Sequence, residues 1–141
     1  MDRDVINRKL DSLARCVRRI ETKRPRTPDQ LVSDIDLQDI LSLNIERAVQ
    51  LCVDLGAHLL ADLELPPPET MGEVFQRLAE HNIIPGSGAD ALRKAVGFRN
   101  LSVHAYDRVD WERVFEITHH RMDDFKSFAA QVIIWSEKNH P

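Results

Sequence analysis

One stretch of the chain is rich in reactive side chains and poor in core signals: Phe98-Arg99-Asn100-Leu101-Ser102-Val103-His104-Ala105-Tyr106-Asp107. Histidine takes or gives a proton near neutral pH. Arginine holds two phosphate oxygens at once and steadies the charge that builds up in a phosphoryl transition state. Those two roles suffice to let a ribose 2′-hydroxyl attack its own phosphate without a metal ion. Arg99 and His104 are five residues apart. On a continuous helix four apart is the better-facing spacing, so a slight irregularity is expected to bring the pair together. Leu101, Val103 and Ala105 alternate with polar neighbours, which lets one side of the segment pack while the other stays open. The spacing alone leaves a plainer alternative: an arginine that caps a helix and a histidine that hydrogen-bonds nearby.

Helices must position this segment. Ile6, Leu10, Leu13, Val17 and Ile20 recur at spacings of three and four, which predicts one amphipathic helix over 3–24. Pro25 and Pro28 end it. Thr27-Pro28-Asp29-Gln30 reads as an N-cap, a first-turn proline and a capping-box glutamine, opening a short turn over 28–33. From Asp36 the stripe Leu37, Ile40, Leu41, Asn44, Ala48, Leu51, Cys52, Leu55 and Leu59 predicts a second long helix to about residue 62, stopped by Pro66–Pro68. Thr70-Met71-Gly72-Glu73 is another capping box. It opens a third helix with Met71, Val74, Phe75 and Leu78 inward. Ile83–Gly88 forms a turn, and a short fourth helix carries Leu92, Ala95, Val96 and Phe98. Asp110 caps the last helix, with Val109 and Val114 as a hydrophobic staple. Its face runs from Trp111 through Phe115, Thr118, Met122, Phe125, Ala129 and Val132 to Ser136, about 26 residues. No stretch reads as a strand, a repeat or a low-complexity tract. The expectation is an all-α, up-and-down bundle over 1–141, with three long helices and two shorter ones.

Composition agrees with one globular domain. The chain has 141 residues, 43% apolar and 30% charged, which argues against disorder and lets a sizeable core form. No apolar run approaches the roughly 18 residues of a membrane span. Met1-Asp2-Arg3-Asp4 is charged with no apolar stretch behind it, unlike a signal peptide. Cys16 and Cys52 sit among apolar residues and read as buried reduced thiols. Together these features place the chain in the cytoplasm. The net charge of −4 is unevenly spread, because residues 15–26 hold six basic residues and one acid and leave −9 on the remainder. Arg15, Arg18, Arg19, Lys23 and Arg24 therefore form a candidate RNA-binding patch. The alternative is a solvated helix end whose cations favour the helix C-terminus.

Other residues point less far. His119-His120 with Asp123 and Asp124 invites a metal reading, but the set lacks a typical zinc geometry, and a solvated helix face accounts for it; no metal site is expected. Asn44 reaches either a cleft or a core hydrogen bond. There is no glycine-rich phosphate loop and no nucleophile elbow, so no cofactor is expected.

The pattern of Arg99, four residues and His104, with polar Asn100 directly after the arginine, resembles the defining motif of HEPN-domain ribonucleases. His104-Ala105-Tyr106 looks like the HepT branch, in which a tyrosine stands two residues after the histidine. Leu37-Gln38-Asp39-Ile40-Leu41-Ser42-Leu43-Asn44-Ile45-Glu46-Arg47-Ala48 resembles that branch's second helix. The resemblance spans nearly the whole chain. It implies a homodimer whose two motifs face a shared cleft, and metal-independent cleavage of RNA to a 2′,3′-cyclic phosphate. Arg99 would hold the phosphate, His104 would move the proton, and Asn100 would orient the substrate or the histidine. It also implies a toxin silenced by a small nucleotidyltransferase antitoxin, MntA, which adds AMP from ATP to the tyrosine, here Tyr106. Added AMP would bring negative charge and bulk beside the cleft. Otherwise Tyr106 is an aromatic packed with its hydroxyl at the surface. Two other functions stay open: a non-catalytic helical module that binds a nucleotidyltransferase or nucleotide, and an RNA-binding protein that uses residues 15–26 and is indifferent to His104.

Overall fold

Periodicity and caps translate directly into helices. The computed structural model describes residues 2–140. In chain order the helices are α1 (Arg3–Lys23), α2 (Pro28–Val32), α3 (Ile35–Asp62), α4 (Met71–Glu80), α5 (Gly86–His104), α6 (Trp111–His120) and α7 (Met122–Asn139). A single 3₁₀ turn, Tyr106–Arg108, separates α5 from α6. No strand occurs among the described residues, and none of their helices is long and apolar enough to cross a membrane.

The predicted stripe of α1 is buried at Ile6, Leu13, Val17 and Ile20. The box at the start of α2 forms as expected, with Gln30 accepting from the backbone of Arg26 and Thr27. At α4, Thr70 accepts from the Glu73 amide at 3.2 Å. The long α3 is the axis of the molecule and touches every other α-helix. That is why its buried face is wider than one stripe and includes Gln38, Ser42, Ile45, Val49 and Val53 besides the predicted positions. Pairings fix the directions. Lys9 meets Asp54 at 3.3 Å, so α1 runs antiparallel to α3. Ser102 meets Glu46 and Tyr106 meets Asp39, so α5 does the same on another side. Lys126 meets Glu21 at 2.8 Å, which sets α7 antiparallel to α1.

Two elements differ from expectation. The fourth helix is not short: α5 has 19 residues and carries Arg99 through His104 on its last turns. The alternation of Leu101 and Val103 is misleading, because both are exposed (38% and 46%) while Ser102 between them is 3% exposed and packs on α3. The expected 26-residue last helix is two helices, broken at Arg121. The buried stripe Thr118, Met122, Phe125 continues through the break with helical spacing, so periodicity conceals it. The signal was the acidic pair Asp123-Asp124, which suits the first turn of a new helix; the Arg121 side chain reaches forward to Asp124 at 2.8 Å.

Candidate functional site

The last turns of α5 gather the candidate chemistry. Arg99 is half-buried and donates to the Asn100 side-chain oxygen at 3.1 Å, so the two neighbours hold one another. Asn100 and His104 are exposed, and His104 is the last residue of the helix. The expected irregularity is absent. The helix is continuous to its end and the Ala105 amide closes on the Leu101 carbonyl at 2.8 Å. Five residues on a regular helix turn by about 140° beyond a full circle, so Arg99 and His104 point apart. Among the described residues no hydrogen bond joins them. One copy of the motif therefore presents its arginine and its histidine on different sides of the helix end, with exposed Leu101 and Val103 between and beside them.

The chain leaves α5 through Ala105 and turns back over α3. Tyr106 is 39% exposed. Its ring meets the edge of Trp111, the first residue of α6, at a centroid distance of 5.5 Å. Its hydroxyl donates to the Asp39 carboxylate at 2.7 Å. Burial comes first in pushing the phenol above its usual range; the nearby Ser42 hydroxyl pulls it down, and Asp39 and Glu46 push it up again. Asp39, Ser42 and Glu46 were not singled out in the sequence. They stand at i, i+3 and i+7 on α3 and so share a face. That spacing was readable; their partners, about sixty residues downstream, were not.

The basic segment does not act as one patch. Arg15 and Arg19 lie in a groove between α1 and α3 of about 700 Å³, which also holds Ser12, Asn44, Gln50 and a residue the sequence did not single out, Arg47. Its lining includes no acid. Arg15 donates to Ser12 at 3.0 Å, while Arg19 and Arg47 make no ion pair among the described residues. Both Arg15 and Arg47 reach near the Cys16 thiol: burial, the larger cause, raises it, and the two arginines draw it down. Arg18 faces another groove, against α7. Arg24 donates to the Thr118 carbonyl at 2.8 Å and pins the connector after α1 onto α6. Lys23 stays exposed in the last turn of α1. Asn44 lines the arginine groove and donates to the Ile40 carbonyl at 2.8 Å.

His119 stacks on Phe115 and sits 2.7 Å from the Pro25 carbonyl, a packing role; His120 lies 3.6 Å from Glu116. Cys16 and Cys52 are free and buried, as expected.

Comparison with known proteins gives a consistent picture. The family described as Ribonuclease HepT-like matches residues 11–132. The mRNA nuclease HepT of Shewanella oneidensis is 32% identical over 125 residues, spanning 89% of this chain and 93% of the relative. The tRNA nuclease HepT of Aphanizomenon flos-aquae is 23% identical over 128 residues, spanning 91% and 87%. Among solved structures, the tri-AMPylated Shewanella oneidensis HEPN toxin in complex with MNT antitoxin superposes with a TM-score of 0.88 at 30% identity, covering 95% of this chain and 99% of that one.

Proposed function

This chain belongs to the HepT-like ribonuclease family, the nuclease toxins of toxin–antitoxin pairs, and from that premise we propose that it cuts RNA through Arg99 and His104 without a metal ion and is silenced by AMP added to Tyr106. The observation that supports this reading is the end of α5, whose last turns carry half-buried Arg99 and exposed Asn100 and His104 within six residues. Arg99, steadied by Asn100, holds two non-bridging oxygens of the scissile phosphate. The 2′-hydroxyl attacks phosphorus, the O2′–P bond forms, the P–O5′ bond breaks, and His104 transfers protons.

The divergence of Arg99 and His104 supports a site completed by a second copy. Two chains meeting on exposed Leu101 and Val103 would set one motif opposite the other. One His104 then takes the 2′ proton and its counterpart gives a proton to O5′. Arg15, Arg19 and Arg47, with Lys23 at the end of α1, hold the RNA backbone outside the cleft by charge.

The partner is a nucleotidyltransferase antitoxin of the MntA type, with ATP as the AMP donor. Tyr106 suits the acceptor role because its hydroxyl lies at the surface two residues from His104. Attached AMP adds phosphate charge where RNA must enter. RNA and ATP both belong to the cytoplasm, where this chemistry operates. Mass analysis of the cleaved RNA tests the mechanism: fragments ending in 2′,3′-cyclic phosphate support it, and fragments with a 3′-hydroxyl and a 5′-phosphate contradict it.

A further inference from the structure

Tyr106 is the chain's single tyrosine, and its hydroxyl is held in a way that packing does not require. The ring is fixed by the edge of Trp111. The oxygen lies at the surface and points to a carboxylate that is itself exposed, Asp39, 2.7 Å away. Beside it is the buried hydroxyl of Ser42, which donates to the Gln38 carbonyl at 2.8 Å. A hydroxyl rotor can redirect its single proton. The phenol oxygen thus has a carboxylate that can accept its proton and, nearby, a hydroxyl that can turn toward the resulting anion. Because burial and the nearby acids hold this phenol above its usual range, it does not ionise unaided near neutral pH, and an attacking Tyr106 requires a base.

Building on the reading that Tyr106 is the site of AMP addition, we propose that Asp39 of the toxin is the general base for the first nucleotidyl transfer. The Tyr106 oxygen attacks the α-phosphorus of a nucleoside triphosphate presented by the partner nucleotidyltransferase. The Tyr106 O–P bond forms, the bond from the α-phosphorus to the α,β-bridging oxygen breaks, and pyrophosphate leaves with the electron pair. The phenolic proton passes to Asp39. Ser42 is a positioning residue: it turns its proton from the Gln38 carbonyl toward the phenolate as charge develops. The toxin therefore carries part of the machinery of its own silencing. The assignment also limits Asp39 to one step. Once an AMP is attached, the Tyr106 oxygen has no proton to lose, and any further AMP must go onto a ribose hydroxyl of the first, away from Asp39.

Two measurements test this. The first is a spectrophotometric pH titration of Tyr106 alone. Asp39→Asn should lower its midpoint, since the carboxylate raises it; an unmoved midpoint would show that the contact is not made in solution. The second follows AMP additions by intact mass, with MgATP and an MNT antitoxin at saturating concentration, for wild type, Asp39→Asn and Asp39→Glu. The expected result is a loss on the order of 10²-fold in the first addition for Asp39→Asn, partial recovery with Asp39→Glu, and later additions at the wild-type rate. Wild-type rates for the first addition in Asp39→Asn would overturn the base assignment and leave Tyr106 as the acceptor. Equal slowing of every addition would reduce Asp39 to a structural contact. A folded wild type that takes up no AMP would remove both the acceptor reading and the base.

Discussion

Neutralising the groove between α1 and α3 should weaken RNA binding by an amount that can be worked out in advance. Arg15, Arg19 and Arg47 line a groove without an acid among the described residues, and of the three Arg15 alone has a side-chain partner there, Ser12. If each neutralises one phosphate of a single strand, binding carries a log–log salt slope of about −0.7 per contact, or roughly −2 for the three. At about 0.1 M salt the counterions released by three contacts contribute on the order of 100-fold in affinity, about 3 kcal/mol. Raising salt from about 50 to about 200 mM should then remove roughly 20-fold of wild-type affinity through this groove. The triple variant Arg15→Gln, Arg19→Gln, Arg47→Gln should bind on the order of 100-fold more weakly at the intermediate salt, with a slope shallower by about 2. Fluorescence anisotropy with a labelled single-stranded RNA reads both quantities. A His104→Ala background prevents cutting during the titration. An unchanged slope in the triple variant would show that these arginines do not contact phosphate, because lost contacts must show in the salt dependence whatever else changes. Cutting of a dinucleotide too short to reach the groove separates this failure from a failure of the chemistry: it should be nearly indifferent to the three substitutions.

Other consequences follow from the same geometry. Tyr106→Phe should keep most RNA cleavage but escape silencing by the antitoxin, read as persistent toxicity when the two are expressed together. Val103→Asp places a charge on the exposed apolar end of α5; light scattering at micromolar concentration should show a monomer, and cleavage should fall with it. Gly56→Ala should destabilise the fold, since a Cβ there would meet the stiff Val74 side chain at 2.4 Å and Leu78 at 3.0 Å. Overpacking of that kind costs about 1–3 kcal/mol, offset by up to about 1 kcal/mol of helix propensity, so thermal melting should drop by several degrees.

The helices that carry their apolar residues on one stripe were legible at once. In α1, Ile6, Leu13, Val17 and Ile20 of the predicted stripe are buried and Leu10 is half-buried. The capping box at Thr27 and the side-chain cap at Thr70 marked two helix starts because their donors and acceptors are local; the expected reciprocal bond at Thr70 is not made, and Glu73 accepts from the Glu69 amide at 2.8 Å instead. The ends of α5 and α6 were less legible for an identifiable reason. Burial at the end of α5 goes to Ser102, whose hydroxyl meets Glu46 across the bundle, while its apolar neighbours face out. A pattern rule that equates apolar with inward reads this turn the wrong way round. The break at Arg121 is hidden because the core continues across it. Arg99, Asn100, His104 and Tyr106 were legible as types in a pattern. Asp39 and Arg47 were not, because their significance comes from partners on other helices, Tyr106 at a separation of 67 residues for the former and the arginines of α1 for the latter.

Arg99 and His104, brought together across two copies of the chain, are expected to cut RNA without a metal ion. The most direct test is cleavage of RNA by the purified chain in excess EDTA, comparing wild type with His104→Ala at equal folded concentration. Wild type should cut and go on cutting after chelation, with a loss on the order of 10²-fold or more in the variant. Cleavage that stops when metal is removed, or that persists undiminished in His104→Ala, would contradict this mechanism.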